Sequence, residues 1–201
     1  MTAKERIIEA AFQLFSEKGF NKTSVAALCK LAVSSQGGFY HHFETKEDVV
    51  QTIINDYGKD LAGQFTYMVN DDTIPVTEAM SMVFQKVNNY KRSQMQEWPG
   101  YVKMLTFDGN HLIIQKMAEE FNRITTDTYL KLIDRGMSEG LFTVAFPLPL
   151  AKLFTREITS LYTLVSGVLM AGQVEEREKL YSELKDSAGF TEAFLNAQLG
   201  L

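Results

Sequence analysis

Residues 20–48 read FNKTSVAALCKLAVSSQGGFYHHFETKED, and the kind of fold turns on this stretch. It holds two short runs with helical apolar spacing, each preceded by a residue suited to an N-cap. Thr23 stands before Ser24 to Lys30, a run that buries Val25 and Leu28, and Ser34 or Ser35 stands before a still shorter run ending near Tyr40. A tight turn, Ala32-Val33-Ser34-Ser35, joins the two. Upstream, Thr2-Ala3-Lys4-Glu5 matches a capping box, and Ile7, Ile8, Ala11, Leu14 and Phe15 form one apolar stripe that ends at Gly19. Three short helices with a tight turn before the third are the parts of a helix-turn-helix, whose second member enters the major groove of DNA.

Beyond this head the apolar positions keep helical spacing, and no run alternates as a strand would. Thr45-Lys46-Glu47-Asp48 starts a fourth helix with a stripe from Val49 to Met68. Pro75 opens a fifth to about Lys91, and Glu97-Trp98-Pro99-Gly100 breaks the chain before a short helix to Phe107. Long helices are expected from about His111 to Glu139 and Leu150 to Ala171, and a last one from Glu175, bent or broken at Gly189. The reading is an all-α chain of about nine helices: a three-helix domain over residues 1–45 and a larger helical body over 46–201. No flexible linker separates them, so the fourth helix is the mechanical connection.

The formal charge of −5 speaks against a nucleic-acid partner at first sight. Residues 1–50, however, carry six basic side chains (Lys4, Arg6, Lys18, Lys22, Lys30, Lys46) and six acidic ones (Glu5, Glu9, Glu17, Glu44, Glu47, Asp48), so the whole excess falls on the body. An acidic body repels DNA and a neutral head does not. Affinity must then come from a few placed contacts and from doubling by dimerisation. Charges near Met1 leave no room for a signal peptide, the lone Cys29 excludes an intramolecular disulfide, and Ile158 to Met170 is short of the ~20 apolar residues of a membrane span. A cytoplasmic protein is expected.

From Lys4 to Val50 the sequence resembles the TetR family of transcriptional regulators. The resemblance lies in Arg6-Ile7-Ile8-Glu9-Ala10-Ala11, Leu14-Phe15-Ser16-Glu17-Lys18-Gly19-Phe20, Thr23-Ser24-Val25 with Leu28, and Gly37-Gly38-Phe39-Tyr40-His41-His42-Phe43 with Lys46-Glu47-Asp48. The family usually reads alanine-glycine-valine-serine at the turn, where this chain has Val33 in the glycine position and Ser34 in the next. A β-branched residue disfavours positive φ, so that departure bears on the turn's backbone. The resemblance implies that Thr23, Tyr40, His42 and Lys46 meet the phosphate backbone, and His41 can reach phosphate or a base edge. From its chemistry, Gln36 can pair bidentately with adenine, and Ser35 can donate or accept at base or phosphate. Gly37 and Gly38 cost a short helix up to ~1 kcal/mol each, which calls for a reason: close approach of the backbone to DNA, or packing. Ile7, Leu14, Phe15, Phe20, Val25, Leu28, Phe39 and Phe43 read as the head's core.

For the body the resemblance is one of helix count and order only. It implies dimerisation through the last two long helices, with Leu153, Leu161, Val165, Val168, Leu184 and Phe194 at the interface. It also implies a small-molecule pocket among the middle helices. Phe84, Trp98, Tyr101, Met104, Phe107, His111, Phe121 and Tyr129 are the aromatic, methionine and polar candidates to line it, though the same residues describe a plain core. No nucleophile elbow, phosphate-binding loop or metal-ligand spacing occurs, so neither an enzyme, a cofactor nor a metal is expected. These features together imply a ligand-responsive, sequence-specific regulator, most simply a homodimeric repressor on double-stranded DNA. An activator with the same head, or a ligand-binding helical protein whose head no longer reads DNA, are the rivals.

Overall fold

The computed structural model describes residues 1–97, 104 and 107–199, and is helical throughout them. Among the described residues there are eight helices and no strand: α1 (Ala3–Lys18), α2 (Val25–Leu31), α3 (Gln36–His42), α4 (Lys46–Asn70), α5 (Val76–Glu97), α6 (His111–Ser138), α7 (Pro147–Met170) and α8 (Val174–Leu199). The expected short helix before Phe107 falls mostly outside the described residues. By contact the chain forms two compact units, one of Met1–Gly63 with Asn89–Phe121, the other of Gln64–Asn88 with Asn122–Leu201.

In the first unit local signals set the helix starts. The capping box of α1 forms in both directions: Glu5 N donates to Thr2 Oγ1 at 3.2 Å and Thr2 N to Glu5 Oε2 at 2.7 Å. Ser35 caps α3 by accepting from Gly38 N at 2.9 Å, and Thr45 pairs with Asp48 in the same manner before α4. The cap of α2 is Ser24 instead of the expected Thr23, because Thr23 turns inward and donates its hydroxyl to Gly19 O at 2.8 Å. Ile7, Phe15, Phe20, Leu28, Phe39 and Phe43 are buried together, and Leu14 and Val25 pack against them. Phe39 touches Phe43 with ring centroids 5.7 Å apart, so the inward face of α3 is set by two aromatics four residues apart.

The turn between α2 and α3 is built around Val33. Ala32 ends α2, Val33 follows with φ +49, and Ser34 N donates back to Cys29 O at 2.9 Å. This is the six-to-one bond of a Schellman cap, with valine at the position that favours glycine. The end of α6 shows the same cap with the usual residue: Gly140 at φ +70, Gly140 N to Met137 O at 3.1 Å, Leu141 N to Gly136 O at 3.0 Å. Val33 is 83% exposed, so its side chain gains nothing by packing to offset a left-handed backbone that costs an L-residue roughly 1–2 kcal/mol. Val33→Gly is therefore expected to stabilise the chain by about 1 kcal/mol, a rise in Tm of roughly 2–4 °C by scanning calorimetry. An unchanged or lower Tm would show that the turn is not strained.

In the second unit Tyr129 and Phe154 meet edge to face at 5.2 Å, and Val83, Leu132 and Ile158 are buried too. Burial pushes the Tyr129 phenol far above its ordinary value, and its hydroxyl makes one long contact, 3.4 Å to Met80 O. α7 and α8 pack as a helical pair. α8 runs unbroken through Gly189, against the expected bend, since a single glycine costs a helix only ~1 kcal/mol and the packed neighbour outweighs it. No helix among the described residues is long and apolar enough to cross a membrane.

Candidate nucleic-acid interface

Because Phe39 and Phe43 face inward, the opposite side of α3 is left to solvent. Ser35, Gln36, Gly37, Tyr40, His41 and His42 are exposed, and Gly38 is half-buried. Tyr40 leans its ring edge on Phe39 at 5.4 Å while remaining 58% exposed, so its hydroxyl is carried on a braced side chain. His41 and His42 are in ring contact at 4.9 Å at the C-terminal end of the helix. Arg6 holds the turn from below, its Nε donating to Ala32 O at 3.0 Å. This helix therefore presents a polar surface on a rigid base.

The two glycines divide. A Cβ on Gly37 would meet only Ser35 Oγ, at 3.9 Å, so nothing in the protein requires that side chain to be absent. On Gly38 a Cβ would lie 2.8 Å from Ser34 Oγ and 3.3 Å from the capping Ser35 Oγ, an internal reason for glycine. For Gly37 the protein itself supplies no such reason.

Beside α3 lies a groove of about 490 Å³ lined by Asn21, Lys22, Thr23, Ser24, Val25, Tyr40, Glu44, Thr45, Lys46 and Glu47. Two lysines and two glutamates share it, so it is no basic funnel, in keeping with the head's zero net charge. Lys46 is held in place: its Nζ donates to Phe20 O at 2.9 Å and Thr23 O at 3.3 Å, and sits 4.1 Å from the Phe20 ring centroid. An ammonium has three protons, so one remains for a phosphate. Thr23 is different. It is 2% exposed and its proton is spent on Gly19 O, so the hydroxyl expected at phosphate is not offered to the groove. Its neighbour Ser24 is exposed, and an oxygen that accepts from Ala27 N at 3.2 Å still has its own proton to give. Sequence reading did not single out Ser24 and Lys22, which line the groove; adjacent hydroxyls at 23 and 24 were the available signal, and only packing tells which turns inward.

Comparison with known proteins bears on the same residues. Residues 7–53 match the family model described as bacterial regulatory proteins, tetR family. The chain is 24% identical to the HTH-type transcriptional repressor KstR2 of Rhodococcus jostii (strain RHA1), over 77% of this chain and 74% of that one. With the HTH-type transcriptional regulator UidR of Escherichia coli (strain K12) the identity is 47%, over 25% of this chain and 26% of the relative. By its head, residues 7–53, the chain is a TetR-family regulator.

As a TetR-family member it is a DNA-binding regulator of transcription and not an enzyme. The fold agrees across the whole chain. The solved SmeT–triclosan complex superposes with a TM-score of 0.64 at 19% identity, covering 98% of this chain and 91% of that one. FadR from Bacillus halodurans, a fatty acid degradation regulator, gives 0.63 at 17%, covering 95% of each.

The body residues expected at a pocket fall in both units. Phe84, half-buried, and Tyr129 belong to the second. Met104, Phe107, His111 and Phe121 belong to the first, where Met104 is wholly buried in the core that includes Phe15 and Phe20. Phe107 lies against Gly19, and His111 is exposed beside Asp108 at 3.4 Å. Trp98 and Tyr101 lie outside the described residues. Of the expected interface, Leu153, Leu184 and Phe194 are half-buried, while the side chains of Leu161, Val165 and Val168 lie outside those described. Phe194 stacks on Phe190, which is 66% exposed. No group of His, Cys, Asp or Glu suited to a metal occurs among the described residues, and burial pushes the Cys29 thiol above its ordinary value.

Proposed function

We propose that this TetR-family protein is a homodimeric cytoplasmic repressor. It binds a near-palindromic operator with one α3 per half-site and is released by a mostly apolar small molecule. The observation that carries the DNA reading is the exposed face of α3, in which Ser35, Gln36, Gly37, Tyr40 and His41 are open while Phe39 and Phe43 anchor the helix behind them. Gln36, at the first position of the helix, is where a helix-turn-helix places base-reading side chains. Lys46 and Ser24 line the adjoining groove, each with a proton left to give, which supports contact with the phosphate backbone.

Dimerisation is supported by α8, which leaves Val174, Tyr181 and Phe190 largely exposed in the single chain. Two heads in one dimer set half-sites roughly 34–36 Å apart or a little more. The effector is supported by analogy: SmeT, one of the structural neighbours, was solved with triclosan, and it represses a multidrug efflux pump. A coupling of ~1–3 kcal/mol between effector and operator is enough for such a switch.

The test is selection of bound duplexes from a random library at low salt and again at ~150 mM, where non-specific binding fades. An inverted repeat should emerge; no enrichment at either salt would overturn the reading. On the selected site, Gln36→Ala should cost ~1–3 kcal/mol and relax the preference at one base position. Lys46→Ala should weaken all duplexes alike and flatten the salt dependence by about one phosphate contact. Equal losses on matched and mismatched duplexes for Gln36→Ala would refute its base-reading role.

A further inference from the structure

Asn110 is completely buried, and both polar atoms of its amide are hydrogen-bonded. Its Oδ1 accepts from Phe20 N at 2.6 Å, and its Nδ2 donates to Phe15 O at 2.9 Å and Met104 O at 2.7 Å. These partners fix the amide's orientation, since the reverse would set its oxygen against two carbonyls. Two of them lie 90 and 95 residues away, at the end of α1. Phe15 O belongs to the last turn of α1, where carbonyls lack helical partners. The same segment also covers Gly19: a Cβ there would stand 2.8 Å from Phe107 Cε1.

The residues just after Gly19 line the groove. Phe20, whose N–H is held by Asn110, offers its carbonyl to Lys46 Nζ at 2.9 Å and to Thr23 N at 3.1 Å. Gly19 O takes the Thr23 hydroxyl at 2.8 Å. Asn110 thus holds one side of a single residue whose other side holds the lysine expected at phosphate. We infer that Asn110 is the positioning residue that fixes the α1–α2 turn, and through Phe20 the place of Lys46, for binding the DNA backbone. It touches no DNA itself. This rests on the proposed DNA-binding function and adds to it a contribution from Met104, Phe107 and Asn110, far from the helix-turn-helix in sequence.

The test uses the full-length chain and a duplex carrying the selected inverted repeat. Asn110→Ala is expected to lower affinity at least ~10-fold at low salt and to reduce the salt slope by about one, as loss of one phosphate contact would. Hydrogen exchange of the free protein should rise at residues 19–23 and stay unchanged at 5–12. In a Lys46→Ala background the same substitution should cost less than ~2-fold, because the contact it positions is already gone. A merely structural role would cost the same factor in both backgrounds, and that result overturns the inference. So does wild-type affinity with an unchanged slope. If Asn110→Ala does not fold, as judged by circular dichroism, Phe107→Ala loosens Gly19 without leaving a buried polar group unpaired, and the same criteria decide. Wild-type protein that binds no duplex overturns the DNA-binding reading and this inference together; a binding wild type with an indistinguishable variant overturns this inference alone.

Discussion

Gly37→Leu is expected to bind the operator at least ~100-fold more weakly than wild type while melting at the same temperature or higher. The two halves have separate physical causes. In the free protein a Cβ at residue 37 meets only Ser35 Oγ at 3.9 Å, so a larger side chain extends into solvent without a clash. Replacing glycine within a helix relieves a propensity cost of up to ~1 kcal/mol. In the proposed complex the same position lies beside Gln36, on the face that enters the major groove, where four added carbons would hold the helix away from the base edges. A lost set of contacts of ~3 kcal/mol is about a hundredfold in affinity, before any doubling by dimerisation. Titration of the duplex by fluorescence anisotropy, with a thermal melt of the same sample, reads both halves. Full affinity would mean that residue 37 does not face DNA and that its glycine has no function the structure explains.

Arg135→Met should lower stability by about 3 kcal/mol, a fall in Tm of roughly 6–12 °C for a chain of this size. The arginine side chain is only 13% exposed. Its Nη1 donates to Val69 O and Asp71 O, both at 3.3 Å, its Nη2 donates to Ile74 O, and its Nε pairs with Glu139 Oε1 at 3.0 Å. Val69 O is one of the last carbonyls of α4, and the other two belong to the turn before α5. One planar guanidinium therefore closes a helix end and the turn after it. Methionine keeps the apolar stem and removes every donor, so the loss isolates the hydrogen bonds. Hydrogen bonds to a charged donor contribute ~1.5–3 kcal/mol each when buried, and partial access of water to this turn brings the sum down. Arg135→Lys should recover only a part, since an ammonium cannot span the same fork of carbonyls. A Tm within 2 °C of wild type by scanning calorimetry, an interval of roughly 1 kcal/mol or less, would show that water satisfies those carbonyls equally well.

The neighbouring Asp71 illustrates a purely local effect. Its carboxylate accepts from the Thr73 hydroxyl at 2.6 Å and from Thr73 N at 2.9 Å, and these bonds hold it below the usual carboxylate range. What it contributes is present above its unfolded value and is lost as pH falls through the lowered one.

The head was legible because its determining interactions are short in sequence. Capping pairs join residues three apart, the apolar stripes repeat every three or four, and the motif residues sit within 50 positions. Where two neighbours offered the same chemistry, as Thr23 and Ser24 do, local pattern could not choose. The nearby Gly19 carbonyl, placed by the fold, drew Thr23 inward. Val33 was legible as a departure from the turn's usual glycine, and the structure shows valine in the same positive-φ cap that Gly140 occupies elsewhere.

Asn110 and Arg135 were not legible at all. An asparagine after Asp108-Gly109 reads as a turn residue, and an arginine on a polar helix face reads as a solvated charge. Their partners lie 90 to 95 and 61 to 66 residues away, at carbonyls and an amide that carry no side-chain signature in sequence. Apolar periodicity also told core from surface without telling which core: Met104, a candidate for a pocket or a plain core, is buried in the cluster that holds Phe15 and Phe20. The sequence by itself determined the order of the helices, most of the head's caps and the family resemblance, because these rest on side chains near one another along the chain. Only tertiary structure decided which hydroxyl faces the groove, which glycine is left open, and which distant amide closes the turn, because each depends on backbone groups brought together by folding.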